Sequence, residues 1–546
     1  MTEGRTSVEA SGIERDAVVV GAGFAGLYML HKVRQLGLSA ILFEAGSGVG
    51  GAWFWNRYPG ARCDVRSLEY SYSFSPELQQ EWTWSEKYSA QPEILAYLDH
   101  VADRFDLRRD IRLEARVVSA HYDEADMRWT VTTARGGIAR ARYCIMATGC
   151  LSEAQTPDIP GLARFEGAVY HTGRWPHEPI DLAGKRVGVV GAGASGIQLV
   201  PELAKAAAHL FVFQRTPNFS IPARNDPLDR NEEREWKAVY DDKRRQARDT
   251  PAGVLYDYNT IPALSVSEQQ RRADYEARWR KGGANFVRTY ADISLNKAAN
   301  DTAADFVREK ISQTVRNRQV AEKLLPFDHA IGTKRICVDA QYFEAYNSDN
   351  VTLVDIRAAP IEAAERQGLK TKDAFHELDC LVFATGFDGV TGALGKIDIR
   401  GRAGLSLKEK WASGPRCYLG LMSAGFPNLF TITGPGSPSI LTNVVVSIEQ
   451  HVEFIADAIA DLEAKGVAAM EAEEEAENAW VEHVAEAAGR TLLVTANSWY
   501  MGANIPGKPR VILPYAGGFH VYRRKCDEIA ARGYVGFRRT ARAGNA

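Results

Sequence analysis

The sequence predicts an α/β fold, and three observations carry that expectation. A strand, a glycine-rich turn, a helix and a second strand follow one another near the start. The same unit recurs from Lys185 onward. Between about Asn225 and Asp328 β-branched runs vanish and helical spacing takes over. Two nucleotide-binding units with a helical insertion are the architecture this pattern implies.

In the first unit, Asp16–Val20 is a β-rich run that breaks at Gly21-Ala-Gly23-Phe24-Ala-Gly26. A helical pattern runs from Leu27 to Leu36 and is closed by Gly37. Ala40–Phe43 then reads as a buried strand ending at Glu44. In the second unit, Lys185–Val190 leads into Gly191-Ala192-Gly193-Ala194-Ser195-Gly196, a helix opening with Ile197 and Gln198, and the strand Leu210–Phe213 before Arg215. One G-x-G-x-x-G is weak evidence. Two, each between a strand and a helix, predict two Rossmann-like dinucleotide sites, because such turns bring pyrophosphate to the free amides of a helix N-terminus.

Two further strand-like runs end in Ala-Thr-Gly, at 147–149 and 384–386, and Phe430–Gly434-Pro-Gly436 is another strand-to-glycine turn. In the helical stretch, Ser267 to Gln270 has a capping-box start, Tyr275 and Trp279 share a face, and Val307, Ile311 and Val315 keep the same spacing. The Glu-rich run Glu471 to Glu477 reads as a solvated helix face.

Composition narrows the function. The 546 residues are 45% hydrophobic and 25% charged, which excludes a disordered chain. Sixty-six Lys+Arg against 69 Asp+Glu leave a formal charge of −3, so neither a nucleic-acid surface nor a polybasic membrane patch is expected. The N-terminus is polar, and no stretch reaches the ~20 apolar residues of a spanning helix. Seven cysteines are scattered without a C-x-x-C pair. A cytoplasmic protein with reduced thiols is the expectation.

The second-strand ends separate the two nucleotides. Glu44 lies roughly twenty residues past Gly21, where a carboxylate accepts from ribose hydroxyls and repels a 2′-phosphate. The first site therefore wants FAD or NAD. Arg215 holds the equivalent place in the second unit, and a guanidinium there, with the Thr216 hydroxyl, suits the 2′-phosphate of NADP. FAD with NADPH, and no close cysteine pair after the first unit, leaves a flavin monooxygenase or a simple electron-transfer reductase.

Two longer motifs resolve that choice by resemblance. Phe165-Glu-Gly167-Ala-Val-Tyr-His171-Thr-Gly-Arg-Trp175-Pro176 matches F-x-G-x-x-x-H-x-x-x-W-P, and Gly51-Ala-Trp53-Phe-Trp-Asn-Arg-Tyr58-Pro59-Gly60-Ala-Arg-Cys-Asp64 matches a second pattern. The chain resembles the type I Baeyer–Villiger monooxygenases, which are class B flavoprotein monooxygenases, over nearly its whole length. The likeness is closest to the phenylacetone and steroid monooxygenases. Gly332-Thr-Lys334-Arg335 and Asn497 to Pro509 are further landmarks.

The resemblance implies conversion of a ketone to an ester or lactone with NADPH and O₂, through a C4a-peroxide of the reduced flavin. It makes Arg335 the catalytic cation and Asp64 its paired carboxylate. Gly21, Gly23, Phe24, Gly26, Glu44, Ala52, Trp53, Phe54, Trp55, Asp64, Tyr70 and Val444 would approach FAD. Arg62, Cys63, Gly191 through Gln198, Arg215, Thr216, Lys334, Arg335 and Trp499 would approach NADP. Ser439, Ile440 and Leu441 would line the substrate pocket. The turn at Gly434–Gly436, followed by a helical run from Leu441 to Ile455, would aim a helix N-terminus at the flavin. His171 is expected to serve an interdomain connection rather than acid–base chemistry. The segment Asn497 to Pro509 is expected to close over NADP.

The expected domains are an FAD-binding domain from 1–152 and 389–546, an NADP-binding domain from 153–218 and 333–388, and a helical insertion over 219–332. A monomer is expected, with no nucleic acid, membrane or metal partner. The competing expectations are a flavin N- or S-monooxygenase and a catalytically silent nucleotide-binding protein.

Overall fold

The computed structural model describes residues 12–541. Strand Ile13–Val20 runs through the middle of the first sheet, with its last four residues buried, as are all four of Ala40–Phe43. Val20 stands opposite Phe43 on one side and Met146 of strand Ile138–Met146 on the other, both in parallel register. Short, wholly apolar strands are what a parallel sheet covered on both faces demands. Ile111–Arg112 extends the sheet past Ala40–Phe43. On the opposite side Val117–Asp123 and Arg128–Thr133 form an antiparallel meander with Ile138–Met146.

Helices Phe24–Gln35 and Val444–Ala464 pack together over this sheet, sharing a core that includes Leu27, Leu30, Val33, Val452, Ile455 and Ile459. The chain therefore returns to its first nucleotide unit after residue 400. A separate apolar layer with Trp129, Val131, Ile399 and Phe426 covers the other face.

The second sheet is parallel throughout, in the order Val351–Asp355, His209–Gln214, Arg186–Val190, Cys380–Phe383 and Ala168–His171. The Phe165–Pro176 motif thus supplies an edge strand of this unit.

The helical stretch divides between the two units. Helix Tyr240–Arg248 docks on the first, where Arg244 donates to the Glu69 carbonyl at 2.9 Å and to Ser71 Oγ at 2.7 Å, and Arg248 donates to Glu453 at 3.1 Å. Helices Glu268–Lys281 and Lys297–Thr314 bury Tyr275, Phe306 and Val307 in the core of the second. Ser267 caps the former as its sequence predicts, accepting from the Gln270 amide.

Two expectations need correction. The run Glu471 to Glu477 is a solvated face only in its middle, where Glu473, Glu474 and Glu475 are exposed. Glu471 lies on strand Val467–Ala472 at 1% exposure, bound by Arg402, Arg538 and the Gly425 amide. Glu477 is fully buried against Lys410 and the Ala424 amide. Their cations come from distant parts of the chain, so the run looks solvated until the fold assembles. The helical run expected from Leu441 to Ile455 also starts later and runs further, over Val444–Ala464. Ser439–Leu441 is a 3₁₀ turn, and the helix begins at Val444. Asn443 caps it, accepting from the Val445 amide and donating to the Glu69 carbonyl at 2.7 Å. A short polar side chain there ends the turn by competing for the helix's free amides.

Inside that helix His451 is fully buried. Its Nδ1 accepts from the Thr433 amide at 2.9 Å, and its Nε2 meets the Tyr522 hydroxyl, which itself donates to the Leu419 carbonyl. The ring is therefore neutral with its proton on Nε2, and burial pushes its pKa down to about 3. The unfolded chain binds this proton below about 6.5 while the native chain does not. Stability is thus full above that pH and falls as the pH drops toward about 3, by up to ~1.4 kcal/mol per unit. His451→Gln should flatten this acid slope at some cost near neutrality, read as Tm against pH. An unchanged slope would show that the ring does not govern it.

All seven cysteines are free thiols. Among the described residues no helix is long and apolar enough to cross a membrane.

Candidate active site

The two glycine turns are built alike, for steric reasons. Gly21 has φ +105° and Gly191 φ +118°, conformations that side chains disfavour. A Cβ on Gly26 would stand 1.7 Å from the Gly21 carbonyl oxygen, and one on Gly196 would stand 2.3 Å from that of Gly191. Gly23 and Gly193 occupy the helix N-caps, and no side chain bonds the first-turn amides of either helix. Beyond Gly193 a Cβ would meet nothing within 4 Å. Free amides above an open space are what a pyrophosphate needs.

The two sites differ at their ribose ends. Glu44 is 5% exposed and accepts from the Ala22 and Gly46 amides, each at 2.7 Å. Its fixed carboxylate keeps lone pairs for ribose hydroxyls. In the second unit Arg215 and Lys334 form a cationic pair. Burial, with the Arg215 charge adding to it, holds Lys334 below the ordinary lysine range against the opposing pull of Asp328 at 3.7 Å. Two cations held this close fit a 2′-phosphate. Thr216 lies beside Arg215 at the strand end.

Around the first turn, Ala52–Trp55 forms a short helix. Trp53 Nε1 donates to the Tyr70 hydroxyl at 3.2 Å, and the Tyr70 ring lies edge-on to Phe24 at 5.4 Å. Phe54 is buried where a Cβ on Gly46 or Gly48 would strike it, so it packs beneath that loop. Val444 is the first residue of the long helix. Phe24, Trp53 and Tyr70 thus form an aromatic cluster at the first turn.

Gln198 joins the units. Its amide oxygen accepts from the Tyr58 hydroxyl at 2.8 Å, and its Nε2 donates to the Arg62 carbonyl at 3.1 Å. Ala192, Ala194, Ser195 and Ile197 ride on the same turn. The Arg62 guanidinium is held by Glu86 at 2.8 Å. Cys63 is buried, and burial with the adjacent Asp64 charge drives its thiol well above the ordinary range, which disfavours the thiolate.

Between the units stands the bidentate pair of Arg335 and Asp64. Nε and Nη2 of Arg335 donate to the two carboxylate oxygens at 2.7 and 2.6 Å, and Nη1 donates to the Ile440 carbonyl at 3.3 Å. Arg335 reaches this place from the turn after Gly332, whose φ of +86° favours glycine. The Asp64 charge, and the hydrogen bonds made to it, raise the Arg335 pKa well above the ordinary value. Some 37% of the Arg335 side chain stays uncovered although protein surrounds it closely, as expected for a group lining an internal cleft.

Ser439 and Ile440 are buried and Leu441 half-buried beside this pair. Two residues passed over in the sequence also belong here. Tyr500 packs in one apolar cluster with Ile440, and burial pushes its hydroxyl up to about 12 against the pull of Arg335. Burial and the Asp64 charge likewise raise Tyr256. Tyr500 is adjacent to Trp499 in a motif already noted, whereas nothing local to Tyr256 marks it.

His171 is 8% exposed. Its Nδ1 accepts from the Gly173 amide at 2.9 Å, and its Nε2 lies 3.2 Å from the Gln155 carbonyl and 3.3 Å from Thr385 Oγ1. It ties the two connecting segments near 155 and 385 together. Among the described residues no cluster of His, Cys, Asp or Glu could hold a metal ion.

Comparison with known proteins places the chain as a whole. The family described as pyridine nucleotide-disulphide oxidoreductase matches residues 18–229. A Baeyer–Villiger monooxygenase of Pseudooceanicola batsensis is 42% identical, with 96% of each chain covered. Among solved structures, an oxidized steroid monooxygenase bound to NADP is 55% identical at a TM-score of 0.93, covering 96% of this chain and 99% of that one. A cyclohexanone monooxygenase from Rhodococcus sp. Phi1 bound to NADP⁺ is 42% identical at a TM-score of 0.95, covering 97% of this chain and 100% of that one.

Proposed function

This chain belongs to the Baeyer–Villiger monooxygenase family, and on that premise we propose that Arg335, oriented by Asp64, is its catalytic cation. The enzyme oxidises ketones to esters or lactones with FAD, NADPH and O₂. FAD, when bound and reduced, supplies the activated oxygen, and NADPH supplies the hydride. The observation that carries the reading is the bidentate pair between the two glycine turns.

A guanidinium has five N–H groups. Three are engaged by Asp64 and Ile440, leaving others to face negative charge as it develops on the ketone oxygen. Preorganised donors in a closed cleft stabilise such charge without reorganisation. Arginine cannot lose its proton at working pH, so the charge persists through turnover. Asp64 fixes the plane of the fork and offsets part of the cost of keeping a cation away from bulk water.

The first turn, with Glu44, Phe24, Ala52, Trp53, Phe54, Trp55, Tyr70 and Val444, would hold FAD. The second turn through Gln198, with Arg62, Cys63 through its backbone, Arg215, Thr216, Lys334, Arg335 and Trp499, would hold NADP. Ser439, Ile440 and Leu441 would bound the ketone. We take 1–152 with 389–546 as the FAD domain, 153–218 with 333–388 as the NADP domain, and 219–332 as the insertion. One chain carries both turns and the pair, which supports action as a monomer. Unpaired thiols support a cytoplasmic setting.

The test is a yellow holoenzyme that consumes NADPH and yields ester from an aryl, cyclic or steroid ketone. NADPH should be strongly preferred over NADH. Losing one charge-assisted contact costs ~1.5–3 kcal/mol, so Arg215→Ala should raise the NADPH KM about ten- to a hundredfold. Equal use of NADH by the wild type would overturn the second-site assignment. NADPH consumption without ester would overturn the ketone reading.

A further inference from the structure

Three features of the segment Asn497 to Pro509 converge on one short stretch of the connection between the units. Asn504 Nδ2 donates to the Phe387 carbonyl at 2.8 Å. Lys508 Nζ donates to Asp388 Oδ1 at 2.5 Å and to the Gly389 carbonyl at 3.0 Å. The Trp499 indole lies so close over Gly389 that a Cβ there would stand 2.7 Å from its Cε3. Phe387 and Asp388 therefore each receive one grip from the segment, and Gly389 receives two.

The ion pair is sheltered, with Lys508 at 13% and Asp388 at 25% side-chain exposure. The seat itself is anchored. The Asp388 amide donates to the Glu153 carbonyl and the Gln155 amide to the Gly386 carbonyl, so the two connecting segments are zipped together. His171 stands at the same junction, edge-on to Phe387. On its other side the segment carries Tyr500 against Ile440, whose carbonyl takes Arg335. Ser498 Oγ and Asn504 Oδ1 are buried with no protein partner.

We propose that Asp388 and Lys508 form a latch that holds the segment closed, with Trp499 over Gly389 and Tyr500 against Ile440. They are positioning residues: neither needs to touch the reacting atoms. Asp388 belongs to the seat and Lys508 to the moving segment, so the pair forms only on closure. The inference rests on the reading that the segment closes over NADP. Breaking one member of a sheltered pair leaves the other without its partner, which costs more than an exposed pair is worth.

The experiment uses FAD-loaded enzyme with and without NADP⁺, and follows chymotrypsin cleavage after Trp499 and Tyr500. The Kd for NADP⁺ and the share of NADPH oxidation ending as hydrogen peroxide are measured alongside. FAD content and Tm verify folding. Lys508→Met and Asp388→Asn should each weaken NADP⁺-dependent protection and NADP⁺ binding about five- to twentyfold. Each should also raise the peroxide share. The double variant should be no worse than either single change, because both remove the same interaction. Lys508→Arg should retain most of the protection.

Wild-type protection in the variants, or additive losses in the double variant, would overturn the latch. A loss in Lys508→Met alone would mean that Lys508 contacts NADP directly, and would overturn it too. If NADP⁺ fails to protect even the wild type, the closing-segment reading fails and the latch falls with it.

Discussion

Arg335→Ala should still be reduced by NADPH at a rate of the same order as the wild type, yet form almost no ester. Hydride transfer needs only that the two cofactors meet in line, a role we propose for the two glycine turns, which the Tyr58–Gln198–Arg62 contacts tie together. Oxygen transfer needs a cation where charge develops on the ketone oxygen. Removing one preorganised donor typically costs ~3–4 kcal/mol, or about 10²–10³ in rate, and a full charge in a sheltered cleft exceeds that. The change also strands Asp64, which has two hydrogen bonds to Arg335. Oxygen should then leave as hydrogen peroxide. Arg335→Lys should not restore ester, because an ammonium group cannot span both Asp64 oxygens and still face the substrate. Stopped-flow flavin reduction beside product analysis on the same variant decides the matter, and retained ester formation would sink the assignment.

Alanine at two glycines of the same motif should give opposite outcomes. Gly26→Ala places a methyl 1.7 Å from the Gly21 oxygen and 2.9 Å from its carbonyl carbon. Both are backbone atoms, so no side chain can move aside and the helix must leave the strand. The variant should be colourless or insoluble. Gly193→Ala meets no protein atom within 4 Å, and its φ of −85° and ψ of −170° suit alanine. That protein should fold and stay yellow. Its methyl would instead enter the space we propose for the NADP pyrophosphate, raising the NADPH KM by roughly ten- to a hundredfold, or ~1.4–2.7 kcal/mol. Normal NADPH kinetics in Gly193→Ala would show that the second turn is not where NADP binds.

Much of this was legible before any coordinates. The strands Ile13–Val20, Ala40–Phe43 and Arg186–Val190 lie where continuous apolar runs put them, because a doubly covered parallel strand tolerates little else. Ser267 caps its helix as its spacing indicates. What misled was charge. Glu473 to Glu475 are solvated as expected, but Glu471 and Glu477 are buried, and their partners Arg402, Lys410 and Arg538 lie far off along the chain. Helix onset misled as well, since Leu441 continues an apolar pattern while Asn443, tied to the Glu69 carbonyl, decides where the helix begins.

Local rules act over a few residues, and they were enough to predict two glycine turns between strand and helix and the motifs that place the chain in its family. The family motifs gave Asp64 as the partner of Arg335, but not its two-pronged geometry, nor that Tyr256 and Tyr500 stand beside it, nor that Lys508 reaches Asp388. Those pairings join segments separated by more than a hundred residues. Only the packing of two sheets and their connecting segments determines which distant charges share a cleft, because the energy of each pair depends on the burial that the whole fold creates.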